Sequence, residues 1–193
     1  MLWRYSILLN IVYVIDTSLS MRRGVSDLVP TKLEAVKETL TIVTSKILSN
    51  NKKIKIGGVV FYGYAYPILP LTNDNVKIIK TLSRLRILGE GSAPGDGLIE
   101  AVKLMRRSSG EKKAIIITDG GFNKGIPLNI AALYAWNSRV IVDIVAISGR
   151  LKDVDHYYMD KTTRMCNGKK ILVNKKSELI KALLELSSHL GNP

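Results

Sequence analysis

Asp16, Ser18 and Ser20 set a carboxylate and two hydroxyls on alternate residues where an apolar run, Ile7 to Ile15, stops abruptly. A second aspartate, Asp119, closes another apolar run, Ala114 to Thr118, and is followed by Gly120-Gly121. Between them, Ser92 stands in a glycine-rich stretch from Gly89 to Gly97. Carboxylates mixed with neutral hydroxyls are hard oxygen donors. They suit Mg²⁺ or Mn²⁺ and poorly suit zinc, which prefers nitrogen and sulfur.

The elements that must position these residues follow from periodicity. Both apolar runs end in small polar residues and read as buried strands, which puts Asp16 and Asp119 at strand carboxyl ends. Lys32 to Leu48 carries Leu33, Val36, Leu40, Val43 and Ile47 at helical spacing, with Pro30-Thr31 as its start signal. Ile54 to Phe61 and Tyr64 to Leu69 read as strands, and Asn75 to Leu85 as a short helix. The helical pattern returns from Leu98 to Met105 and from Leu128 to Trp136. Val140 to Ile147 is a strand, and Val154 to Arg164 a helix. Ile171 to Val173 is a short strand, and Glu178 to Leu190 a last helix.

Alternating strands and helices predict an α/β fold: a doubly wound, Rossmann-like, mostly parallel sheet of six strands in the order 3-2-1-4-5-6, with helices on both faces. That order makes the Ile7 and Ala114 strands neighbours at the switch point, where such sheets bind ligands. Asp16, Ser18, Ser20, Ser92 and Asp119 then converge on one crevice. No internal repeat or linker divides residues 1–193, so a single domain is expected.

Composition narrows the function classes. The chain is 46% apolar and 23% charged, as in a globular domain. No segment reaches the roughly 18 to 20 uninterrupted apolar residues of a membrane helix, so no membrane insertion is expected. Asn10 interrupts the first apolar run and no small-residue cleavage site follows it, which reads as a core strand rather than a signal sequence. With a single cysteine, Cys166, this points to a cytoplasmic protein. The net charge of +13 favours anionic partners. Its basic pairs, such as Arg106-Arg107, Lys112-Lys113 and Lys169-Lys170, flank the expected elements.

The three motifs resemble the von Willebrand factor A family and its metal-ion-dependent adhesion site, whose pattern is Asp-x-Ser-x-Ser, a Thr in a glycine-rich loop, and an Asp after an apolar strand. Thr72-Asn73-Asp74 and Ile117-Thr118-Asp119-Gly120 are similar to the family as well, and the resemblance spans about Ile7 to Leu190. Ser92 to Leu98 and Thr118 to Gly125 look most like the prokaryotic aerotolerance-type members, which are associated with MoxR-type AAA+ ATPases. Ser92 stands where Thr is usual, and Leu19 where Gly is frequent. The resemblance implies a metal site for Mg²⁺ or Mn²⁺ built from Asp16, Ser18, Ser20, Ser92 and Asp119. Ser18, Ser20 and Ser92 would coordinate directly, and the two aspartates largely through water. It also implies a divalent-metal-dependent protein-interaction module whose partner, such as an AAA+ ATPase, offers an exposed Asp or Glu.

Catalysis is not expected. A phosphatase of the Asp-x-Asp type needs an acid at Ser18, and His156 and His189 are far along the chain. Gly89-x-Gly91-x-x-x-Gly95 lacks both dinucleotide and phosphate-loop spacing. Nucleic acid stays open as an alternative partner because of the charge and the alternating Tyr62, Tyr64 and Tyr66, a candidate stacking platform, with Lys112 and Lys113 as contacts. A structural subunit with a vestigial site is the remaining alternative.

Overall fold

The computed structural model describes residues 8–149 and 151–188. The strands are β1 (Leu9–Asp16), β2 (Ile54–Phe61), β3 (Ala65–Thr72), β4 (Glu111–Thr118), β5 (Val140–Ile147) and β6 (Lys170–Val173). The helices are α1 (Lys32–Asn50), α2 (Asn75–Leu82), α3 (Pro94–Met105), α4 (Leu128–Asn137), α5 (Asp153–Met165) and α6 (Lys176–Ser188). The sheet order is β3-β2-β1-β4-β5-β6, as the sequence predicts. All neighbours are parallel except β2 and β3.

β1 is buried along its whole length because helices cover both of its faces. Leu9, Ile11, Tyr13 and Ile15 point into a core shared with α1, α2 and α6, while Val12 and Val14 join α3 and α4 on the opposite side. Asn10, the polar interruption, donates its side-chain amide to the carbonyls of Ser109 and Glu111 and so ties β1 to the start of β4. β3 is the antiparallel edge and carries Pro67 and Pro70, residues compatible with an edge because they remove ladder donors.

Most boundaries differ from expectation by a few residues. α2 stops at Leu82 rather than Leu85, and α3 begins at Pro94 rather than Leu98, because a proline in the first turn loses no intrahelical hydrogen bond. Thr31 caps α1 as expected, accepting from the Glu34 amide at 3.0 Å. Ile7, His189 and Leu190, which the sequence placed in the first strand and near the last helix end, lie outside the described residues. Among the described residues no helix is long and apolar enough to cross a membrane.

Candidate metal centre

Chain reversal after β1 builds the first wall of the site. Asp16 ends the strand, and its Oδ1 accepts from the Ser18 amide at 2.9 Å. A short 3₁₀ turn, Leu19–Arg22, then swings Ser20 back, so that its hydroxyl lies 2.9 Å from that of Ser18. β4 supplies the second wall. Thr118 donates its hydroxyl to Asp16 Oδ2 at 2.7 Å, and Asp119 Oδ1 accepts from the Ser20 hydroxyl at 2.6 Å. Asp16, Ser18, Ser20 and Asp119 therefore form one hydrogen-bonded chain across the β1–β4 switch point.

The loop bearing Ser92 is laced to both walls. Leu88 donates its amide to the Thr17 carbonyl and Leu19 donates to the Gly89 carbonyl, each at 2.9 Å. The Ser92 amide donates to the Asn123 side chain at 3.0 Å, and the Ser92 carbonyl accepts from the amides of Asn123 and Lys124. Gly95 is required here by close approach: a Cβ on it would lie 2.0 Å from the Ile126 carbonyl oxygen. The Ser92 hydroxyl is buried and has no hydrogen-bond partner, although Ser92, Ser18 and Ser20 line the same cleft of about 350 Å³. Buried polar atoms are nearly always satisfied. An orphaned hydroxyl beside two others is what a hard cation with oxygen preference would complete.

Electrostatics point the same way. Burial pushes the Asp16 carboxyl up to about 7, against the opposing hydrogen bonds from Ser18 and Thr118 and with a smaller upward push from the Asp119 charge. A cation in the cleft would act in the other direction by favouring the ionised form. Among the described residues no group of three or more His, Cys, Asp or Glu side chains could hold a metal. The side chains gathered here are two carboxylates and three hydroxyls, and the described residues lining the cleft include no cysteine or histidine.

Two residues of this centre escaped the sequence reading. Lys32 is only 1% exposed, and its ammonium donates to Asp119 Oδ2 at 2.5 Å, with the Ser20 carbonyl at 3.4 Å. The signal was present: a lysine at the first position of a helix opposes the helix dipole, which favours an acid there. Asp155, buried at the start of α5, accepts from the amides of Gly121 and Lys152 at 3.1 and 2.9 Å and also from the Phe122 amide. It thus fixes the turn after Asp119. Gly120 makes that turn at φ +90°, and a Cβ there would meet Asp155 Oδ2 at 2.9 Å. Nothing in the local sequence around Asp155 announces this long-range role.

A model of the von Willebrand factor type A domain matches residues 11–122, more than half of the chain. The chain belongs to that family. Among solved structures, this von Willebrand A domain is similar to the conserved hypothetical protein BatB from Bacteroides thetaiotaomicron, at 20% identity and a TM-score of 0.78, over 93% of this chain and 97% of that one. It is similar to an aerotolerance-related membrane protein from Bacteroides fragilis, also at 20% identity, with a TM-score of 0.74 over 94% and 100% of the two chains. The corresponding domain of the type V pili tip protein Mfa5 from Porphyromonas gingivalis matches at 12% identity, with a TM-score of 0.79 over 94% of each chain. At these identities the likeness is one of fold. A comparison with curated protein sequences gave no match.

The features that favoured nucleic acid are rearranged in the folded domain. Lys113 is buried, with its ammonium 3.0 Å from Asp143 and donating to the Leu186 carbonyl at 2.9 Å, so it is no surface contact. Tyr62 and Tyr64 lie in the turn between β2 and β3 and meet edge to face at 5.8 Å, while Tyr66 alone of the three belongs to a strand. They do not form the alternating platform that the sequence suggested. His156 is half-buried on α5, 3.3 Å from the Lys170 ammonium, and does not line the cleft.

Proposed function

We propose that the domain is a protein-interaction module whose cleft takes a divalent cation, Mg²⁺ or Mn²⁺, together with a carboxylate from its partner. The orphaned Ser92 hydroxyl carries this reading, because it is a buried polar atom without a partner on a residue that lines a cleft with Ser18 and Ser20. Ser18, Ser20 and Ser92 would hold the ion, with Asp16 and Asp119 balancing its charge. Bound there, the ion would supply an electrophilic position for an incoming Asp or Glu.

Lys32 sharpens the charge balance. With both carboxylates ionised, Asp16, Asp119 and Lys32 carry a formal charge of −1 beside the cleft, and a divalent ion would bring it to +1. A partner carboxylate then restores neutrality, which makes the cation and the acid bind together rather than singly. The described residues lining the cleft include neither histidine nor cysteine, which favours binding over nucleophilic catalysis. The motif resemblance to aerotolerance-type members, joined by the likeness of fold to BatB, makes a MoxR-type AAA+ ATPase the partner class to test first.

Calorimetric titration of Mg²⁺ and Mn²⁺ into the wild type and Asp16→Ala, with and without a short acidic peptide, tests the reading. Saturable binding that the peptide strengthens and the substitution abolishes is expected. Absence of saturable binding in the wild type under both conditions would overturn it.

A further inference from the structure

α4 is the middle helix of the layer it forms with α3 and α5, and its sequence, LNIAALYAWN, contains no charged residue. Leu128, Ala131, Ala132 and Ala135 occupy its inner side. Its outer side presents Ile130 at 50% exposure, Leu133 at 44% and Trp136 at 55%, with Tyr134 beside them. A surface helix normally turns charged residues outward, and a contiguous exposed apolar patch marks an interaction surface. α5, packed alongside, adds exposed Val154 and Tyr157.

Positive charge frames this ridge. Lys103, Arg106 and Arg107 lie on or just after α3, Arg139 just after α4, and Lys161 and Arg164 on α5, all exposed. The acids of α3 are engaged: Glu100 pairs with Lys103 at 2.7 Å, and Asp96 accepts from the Ile126 amide at 2.8 Å. On α5, Asp155 is buried under the Gly121 turn and Asp160 pairs with Lys170 at 2.6 Å, which leaves Asp153 as an exposed acid beside Val154 against the basic residues. Exposed isoleucine, leucine, tyrosine and tryptophan bordered by lysine and arginine from the neighbouring segments have the composition of a surface that rests at a membrane interface.

We propose that this face docks the domain on an anionic lipid surface, with α4 in the interfacial plane and the flanking basic side chains on the headgroups. A second copy is disfavoured because pairing the same face would set the basic borders of both copies against each other. α3 and α4 end where β4 and β5 begin, so Arg106, Arg107, Trp136 and Arg139 gather at the end of the sheet opposite the metal centre. That basic cluster is therefore remote from the cleft. This contact lies on the membrane and needs no spanning helix.

Sedimentation with vesicles of phosphatidylcholine alone, and of phosphatidylcholine with phosphatidylglycerol, tests the proposal. Trp136 emission is read in a Trp3→Phe background. Expected are pelleting with the anionic vesicles, a blue shift of Trp136, and about tenfold or greater loss of partitioning in Leu133→Asp. Arg106→Ala with Arg107→Ala should weaken partitioning less and flatten its salt dependence. Should Leu133→Asp fail to fold by circular dichroism, Trp136→Ser read by pelleting takes its place. No pelleting with anionic vesicles, equal pelleting of the folded apolar variants, or pelleting without a Trp136 shift would each overturn the proposal. So would self-association, or capture of polyglutamate, that Leu133→Asp abolishes while vesicles stay unbound; these would assign the face to a second copy or to an acidic protein.

Discussion

Lys32 and Lys113 are both buried against aspartates, yet the two pairs sit in opposite kinds of surroundings. Lys113 and Asp143 are closed under α6: the ammonium also donates to the Leu186 carbonyl, and Asp143 Oδ1 accepts from the Lys169 amide at 2.7 Å. Lys32 and Asp119 lie behind the wall of a cleft: Asp119 accepts from Ser20, which lines it beside Ser92, whose hydroxyl has no partner. Burial of a charge is costly unless it is paired and hydrogen-bonded. The closed pair meets that requirement with protein groups alone and reads as architecture. The open one meets it with vacant donor capacity beside it, which is how a binding site differs from a structural ion pair of the same composition.

Removing each lysine is the strongest way to break this contrast. Lys113→Met should cost about 3–5 kcal/mol in denaturant unfolding, because Asp143 is left as an uncompensated buried charge, and Mg²⁺ should restore none of it. Lys32→Met leaves Asp119 as a buried charge in the same way, with the Ser20 hydroxyl still donating to it, and should also cost about 3–5 kcal/mol in the absence of metal. Mg²⁺ should recover much of this second loss, a rescue visible as a raised thermal midpoint. Equal response of the two variants to Mg²⁺ would erase the distinction between the pairs.

The closed region also has an alkaline signature. Burial pushes the Tyr13 phenol up to about 12 from its usual 10, and its hydroxyl meets that of Ser187 at 2.8 Å, next in sequence to the carbonyl that receives Lys113. The folded state therefore holds a proton between pH 10 and 12 that the unfolded chain has lost, so this contribution to stability is full below pH 10 and disappears as pH rises through 12. Tyr13→Phe should cost about 1 kcal/mol at neutral pH and remove that part of the alkaline loss, as read from denaturant midpoints across the range. Ser92→Ala should have the smallest effect on stability, within about 0.5 kcal/mol, because the hydroxyl it deletes makes no hydrogen bond. Its effect should emerge as weakened Mg²⁺ binding by calorimetry.

Much of the centre was legible because its residues interrupt strong patterns. Asp16 and Asp119 stand out against continuous apolar strands, and the strand order that brings those strands together follows from the alternation of elements. Ser92 was legible through the glycines that shape its loop. Lys113 was not: in the string it is one of two adjacent lysines, and only its register between Ile11 and Ile141 in the sheet, with Asp143 3.0 Å away on the α6 side, turns it inward. The tyrosines were misread because alternation signifies a strand face only inside a strand, and the chain turns at residues 62–64.

α4 shows the same limit from another side. Its residues announce an apolar helix, but period and composition cannot state which apolar side chains meet the sheet when nearly all of them are apolar. By itself the sequence determined the order of strands and helices, the switch point, and the oxygen donors that end β1 and β4, since these follow from local periodicity and from the short reach of the connections. Tertiary structure alone decided that Lys32 neutralises Asp119, that the Ser92 hydroxyl is left without a partner, and that Trp136 points outward. Each of these depends on distances between segments far apart in the chain, which local sequence does not encode.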